Sequence, residues 1–197
     1  MSTSAAPDRE LSRPSPAPSA VPLSLVWPPF LVALLALGGS LWLSVGMGLK
    51  ACPLCFYQRT FVMGVVAVFG IGVLTGLRHR GVLNVLALPL ALAGVGVAGF
   101  HEFLEQTGKL ECPGGIMGLG TAPQQSLVVL VVLLVLVALG VIRSGIAGES
   151  YLLAAVAALA LGLMLTWGAV VSAPSMPPTP TKAYGAPLEI CRPPYRP

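Results

Sequence analysis

Five long apolar runs decide what this chain can be. They cover roughly residues 27–49, 61–77, 82–100, 126–142 and 151–171. A helix that crosses a bilayer needs about 20 mostly apolar residues. Hydrophobic residues make up 55% of the chain and charged residues 9%, whereas a soluble domain is about 25% charged. A soluble core of this length is therefore excluded. The stretch Leu127–Val137 is rich in β-branched residues and would suggest a strand in water. Inside lipid only helices and closed barrels satisfy the backbone polar groups. The runs lack the alternation of a barrel strand, so the expected fold class is all-α and polytopic.

The ends read differently. Residues 1–23 carry Pro7, Pro14, Pro16, Pro18 and Pro22 among Ser and Ala, and residues 173–197 are again rich in proline. Both read as extended arms without a core. Arg9 and Arg13 lie well ahead of the first apolar run, so the start does not read as a secretory leader. Ser44-Val45-Gly46 is only a weak cleavage signal, because the apolar run around it is longer than a leader core. Gly72, Gly76, Gly94, Gly96 and Gly99 are expected to let neighbouring spans approach closely.

With five spans the loops alternate sides. The amino terminus and the turns at 77–81 and 143–149 share one side. Residues 50–60, residues 101–125 and the tail share the other, which holds Cys52, Cys55, Cys112 and Cys191. The net charge of +4 sits at the ends and in short loops, so it reads as topology and not as a nucleic-acid footprint. Arg78, Arg80 and Arg143 crowd tight turns, and cations in short loops favour the cytoplasmic face. The amino terminus is thus expected in the cytoplasm and all four cysteines outside, where disulfides persist.

Chemistry concentrates in Lys50-Ala51-Cys52-Pro53-Leu54-Cys55-Phe56-Tyr57-Gln58-Arg59. A Cys-x-x-Cys thiol beside a cation has a lowered pKa, and the thiolate is the species that attacks or leaves. Arg59 follows Cys55 by four residues, which puts both on one face if the second helix starts early. Its guanidinium can donate to a carbonyl oxygen, and an arginine at membrane depth is costly unless it has a partner or role. Redox work, a structural disulfide and a metal site are the three readings. A structural zinc site wants four ligands, and only His101 could join the pair from this side, since His79 lies in the opposite turn. Redox work is therefore preferred and no metal is expected. Glu102 and Glu105 read as solvated interface charges, Trp27 as an interface anchor, and the glycines of residues 114–120 as a loop and not a phosphate cradle.

The string Cys52-x-x-Cys55-x-Tyr57-x-Arg59 follows the first span. After two further helices comes His101-Glu102-Phe103-Leu104-Glu105-Gln106, then Cys112. Over about residues 30–142 this pattern resembles the disulfide bond formation protein B (DsbB) family. The resemblance implies a four-helix bundle core in the bacterial cytoplasmic membrane, here with a fifth transmembrane helix. It also implies an enzyme, a thiol:quinone oxidoreductase that oxidises a soluble DsbA-like thioredoxin-fold protein and passes the electrons to a membrane quinone, ubiquinone or menaquinone. Cys52–Cys55 would be the quinone-proximal disulfide, with Cys55 as the thiolate beside the quinone ring. Arg59 would bond a quinone oxygen, Lys50 would lie close by, and His101 would sit near the quinone. Cys112 would belong to the outer pair that meets the soluble partner.

Two features depart from that pattern. The segment 113–125 has no second outer cysteine, and a fifth apolar run leads to a tail with Cys191. The 19 residues Ser172–Ile190, at about 3.3 Å each when extended, can cross a small bundle. The expected outer pair is therefore Cys112–Cys191. A reductase that hands electrons outward is the rival enzyme, disfavoured by the lack of a cytoplasmic-side cysteine or nucleotide site. A disulfide-stapled module without activity is the rival outside enzymology, disfavoured by Arg59.

Overall fold

A computed structural model describes residues 26–76, 80–144, 149–175 and 177–195. The arm at 1–23 and the cations Arg78 and Arg196 lie outside the described residues. Five helices are long and apolar enough to cross a membrane: α1 (Trp27–Val45), α2 (Pro53–Leu74), α3 (Arg80–Gln106), α4 (Ala122–Arg143) and α5 (Glu149–Ser172). Among the described residues there is no strand, only isolated bridges between Glu111 and Arg192 and between Gly114 and Thr121. The protein is an all-α, multi-pass membrane protein.

The helix ends explain where the site residues sit. α2 starts at Pro53, ahead of the apolar run at Phe61, because Cys52 caps it and Pro53 occupies the first turn, where its missing N–H costs nothing. Cys55 and Arg59 are therefore helical and one turn apart. α3 runs on past Phe100 to Gln106 and keeps Pro89 inside it, so His101, Glu102 and Glu105 share one helix end. α4 starts with a capping box between Thr121 and Gln124. At the far end of α2, Thr75 is the cap and Gly76 follows at φ +60°, the left-handed conformation that glycine adopts without a Cβ penalty.

α3 forms the centre. It packs against α2, α4 and α5, while α1 leans on α2 and α4. Phe69, Val65, Ala87, Ala91, Leu133 and Val137 fill the core between α2, α3 and α4. Small residues set the close approaches: a Cβ on Gly72 would meet Leu83, one on Gly96 would meet Thr166, and one on Gly162 would lie 3.1 Å from the Pro89 carbonyl oxygen. A Cβ on Gly94 would touch Leu130, but one on Gly99 would meet nothing within 4 Å, so Gly99 is not a packing glycine here. The outer faces carry Leu35, Leu152, Leu153 and Trp167, each more than two-thirds exposed. So much apolar surface would be a liability in water and is the natural lipid-facing surface of a spanning bundle.

Candidate functional site

The cysteines converge at one end of the bundle. Cys52 caps α2, and its Sγ accepts the Cys55 N–H at 3.2 Å. The two sulfurs lie 2.7 Å apart, so little movement separates the dithiol from a disulfide of about 2.05 Å. Cys52 is buried and Cys55 half-buried. The Cys52 thiol, which lies just outside the second span, is pushed down from an ordinary 9.0 to about 5. The hydrogen bond from the Cys55 thiol is the largest cause. Burial opposes it, and the hydrogen bond and field of His101 and the Cys55 N–H add to it. The direction favours a thiolate on Cys52 in the reduced pair.

His101 is fully buried at the junction of both pairs. Its Nε2 lies 3.8 Å from Cys52 Sγ and 3.5 Å from Cys112 Sγ, and its Nδ1 lies 4.0 Å from Cys55 Sγ. Gln58 Nε2 approaches Nδ1 at 3.4 Å, and Gln58 Oε1 accepts from Ser126 Oγ at 2.5 Å. The ring is therefore fixed with Cys52 and Cys112 on its Nε2 edge and Cys55 and Gln58 on its Nδ1 edge. Glu102 departs from the solvated charge expected of it. It is buried, and its Oε1 accepts from Gln106 at 2.8 Å and from Gln124 at 3.4 Å.

The tail is stitched onto this end. Cys112 and Cys191 form a disulfide across 79 residues of sequence. Glu111 and Arg192 exchange both backbone hydrogen bonds, at 2.8 and 3.0 Å, and their side chains pair at 2.9 Å. The Arg192 guanidinium also stacks 3.8 Å over the Tyr184 ring. Lys50 donates its N–H to the Glu189 carbonyl at 2.8 Å, and its ammonium pairs with the Glu189 carboxylate at 3.2 Å while remaining 71% exposed. These contacts bring Cys191 in: ligand atoms of Cys52, Cys55, His101 and Cys191 all lie within 4.8 Å of one another.

A mostly apolar cavity of about 410 Å³ opens beside the cluster between α1, α2 and α4, within the usual size of small-molecule sites. Cys55, Gln58, Arg59, Ser40, Ser44 and Cys191 line it, and Lys50 stands at its edge. Arg59 donates to Ser40 Oγ at 3.0 Å, to the Ser40 carbonyl at 2.9 Å and to Ser44 Oγ at 2.7 Å. Among the described residues the ion pairs are Lys50–Glu189 and Glu111–Arg192, so Arg59 is oriented by neutral groups and keeps its charge unpaired beside the cavity.

The sequence pattern of the family described as Disulfide bond formation protein DsbB matches residues 24–126, just over half of the chain. The chain belongs to the DsbB family. Among its relatives, Disulfide bond formation protein B 1 of Pseudomonas aeruginosa is 38% identical over 90 residues, covering 45% of this chain and 55% of that protein. Disulfide bond formation protein B 1 of Pseudomonas fluorescens is 32% identical over 84 residues, covering 42% and 49%. Disulfide bond formation protein B of Xanthomonas oryzae is 32% identical over 83 residues, covering 39% and 48%. The alignments thus span about half the length of these curated relatives. No solved structure matches the chain.

The DsbB match contains Cys52, Cys55, Arg59, His101 and Cys112, while α5, the tail and Cys191 lie beyond it. Sequence reasoning missed Ser40, Ser44, Gln58 and Ser126. Ser40 and Ser44 carry a signal in hindsight, because two hydroxyls at i, i+4 on one face of an apolar helix invite a polar partner.

Reduced protein is expected to show thiolate ultraviolet absorbance that appears as pH rises through about 5, well below the roughly 8.5 of a free thiol. The depressed pKa means that the thiolate is present above that point and lost as the pH falls through it. His101→Ala should move the midpoint upward. A single transition near the free-thiol value in the wild type would remove Cys52 as the resting thiolate.

Proposed function

We propose that this protein oxidises a soluble thioredoxin-fold dithiol protein of the DsbA kind and delivers the electrons to a membrane quinone, so that disulfides are made on the extracytoplasmic side of a bacterial cytoplasmic membrane. The observation that carries this reading is the contiguity of the two cysteine pairs with an apolar cavity lined by Arg59, which has no ion-pair partner among the described residues. Arg143, the last residue of α4 at the opposite end, favours placing that end in the cytoplasm.

The chain's own residues set the order of exchange. A partner thiolate attacks Cys112 and displaces Cys191 as a thiolate, and the partner's second thiol then releases itself as a disulfide and leaves Cys112 reduced. Cys191 lies within 4.8 Å of both inner sulfurs and attacks Cys52, displacing Cys55 toward the cavity and Arg59. Cys112 resolves the Cys191–Cys52 mixed disulfide, which restores the outer pair and leaves the inner pair reduced. Each step exchanges one sulfur–sulfur bond for another. Cys52 then holds the thiolate and Cys55 the proton.

The cavity fits a quinone ring by size and by its apolar lining, and Cys55, Arg59, Ser40, Ser44 and Gln58 would hold it. When bound there, a quinone supplies a two-electron, two-proton acceptor. Closing the Cys52–Cys55 bond releases two electrons and the proton from Cys55, and the second proton is the one that left Cys52 on ionisation. Arg59 donates toward oxygen that gains negative charge. His101 positions the sulfurs, and Lys50 holds the tail at the cavity edge through Glu189.

Purified protein mixed with a reduced thioredoxin-fold dithiol protein and a soluble quinone analogue should form one quinol per disulfide made, read by quinone absorbance and thiol titration. Disulfide formation without quinone consumption, under anaerobic conditions, would sink the reading.

A further inference from the structure

The sulfur–histidine cluster has a capacity that disulfide exchange does not use. Four candidate ligands, Cys52, Cys55, Cys191 and His101, place their ligand atoms within 4.8 Å of one another, and the cluster is buried to half-buried. A tetrahedral zinc site with Zn–S of about 2.3 Å and Zn–N of about 2.0 Å puts its ligand atoms about 3.5–3.8 Å apart. The distance from His101 Nε2 to Cys52 Sγ, 3.8 Å, already falls at that spacing, and the remaining ligand atoms lie within 4.8 Å. The Cys52–Cys55 separation of 2.7 Å needs only to open by about an ångström to reach it.

We propose that the fully reduced protein binds one Zn²⁺ through the thiolates of Cys52, Cys55 and Cys191 and the imidazole of His101. Sequence spacing alone offers two thiols and one histidine on this side. The tail supplies the fourth ligand and completes a Cys₃His set, which suits Zn²⁺ by softness and geometry. The site is governed by redox state. While Cys112 and Cys191 are joined, Cys191 has no thiolate to give. A phosphine delivers two electrons to that bond, is itself oxidised, and leaves two thiols. Zn²⁺ then displaces the protons of those ligand thiols that are not already ionised. With all four positions filled by protein, the ion leaves no open site and prevents both disulfides from closing. Zinc is thus an inhibitor that captures the reduced form.

The test uses the full chain in detergent, anaerobic and phosphine-reduced, with zinc sulfate added and the excess removed by gel filtration. About one zinc per protein is expected on the reduced form and none on the oxidised form. Co²⁺ in place of zinc should give the intense thiolate-to-metal and tetrahedral absorption bands. Cys191→Ser and His101→Ala should each weaken zinc at least tenfold, whereas reduced Cys112→Ser should bind as the wild type does. Circular dichroism checks that each variant keeps its helices, and the cobalt spectrum of the wild type stands independently of them. Zinc no higher on the reduced than on the oxidised wild type would overturn the proposal, and so would Cys191→Ser and His101→Ala retaining wild-type affinity.

Discussion

Replacing Cys55 by serine is expected to abolish quinone reduction, by roughly 10⁴-fold or more, the scale seen when a covalent nucleophile is removed. Serine cannot close a disulfide with Cys52, and Cys55 is the sulfur of the inner pair that lines the cavity. The Cys112–Cys191 bond is formed by other residues and should still exchange with a dithiol partner. The variant should therefore accumulate a partner–Cys112 mixed disulfide, or a Cys52–Cys191 bond made when the free Cys52 thiolate attacks Cys191 and displaces Cys112. Non-reducing peptide mapping after acid trapping distinguishes these species. Normal quinone reduction by Cys55→Ser would end the electron path proposed above.

Arg59→Gln is expected to lower quinone reduction by about 10²–10³-fold, or about 3–4 kcal/mol, the usual cost of losing one preorganised donor to a developing oxyanion. Glutamine retains a donor but loses the charge and the planar fork. Arg59 is held by Ser40 and Ser44, so its direction is fixed before anything binds. It has no carboxylate partner among the described residues, and an unpaired charge at membrane depth costs stability. The variant should thus melt at the same temperature as the wild type or higher while losing turnover. Exchange at Cys112–Cys191 should be unchanged, because that disulfide is not bonded to Arg59. A lower melting temperature with unaltered turnover would make Arg59 a structural tie between α1 and α2.

The inner half of the site was legible before any coordinates. Cys52, Cys55 and Arg59 are local in sequence, and helix periodicity alone puts Cys55 and Arg59 on one face. His101 could be placed at the end of a span but not between the two pairs, since its neighbours come from α2, from the loop before α4 and from the tail. Gln58 and Ser126 form one hydrogen bond across 68 positions, and nothing in the local pattern of either residue announces it. The burial of Glu102 is hidden from the sequence for the same reason. A carboxylate near a span end is normally solvated, but here Gln106 and Gln124 cover it.

The five helices are written in the sequence, because lipid leaves the backbone only helices or closed barrels and these runs lack the alternation of a barrel strand. The sequence also determined the Cys-x-x-Cys motif at a helix start, which is a matter of neighbouring residues. The place of the tail comes from long-range packing. An extended segment has the reach for many positions, and what selects one is a set of contacts far apart in the chain: Glu111 with Arg192, Lys50 with Glu189, and the Cys112–Cys191 bond. Those contacts turn two separate thiol pairs into a single cluster around His101. They also supply the fourth ligand that the spacing of the motif lacks, because coordination and exchange both depend on distances of a few ångströms that sequence separation does not encode.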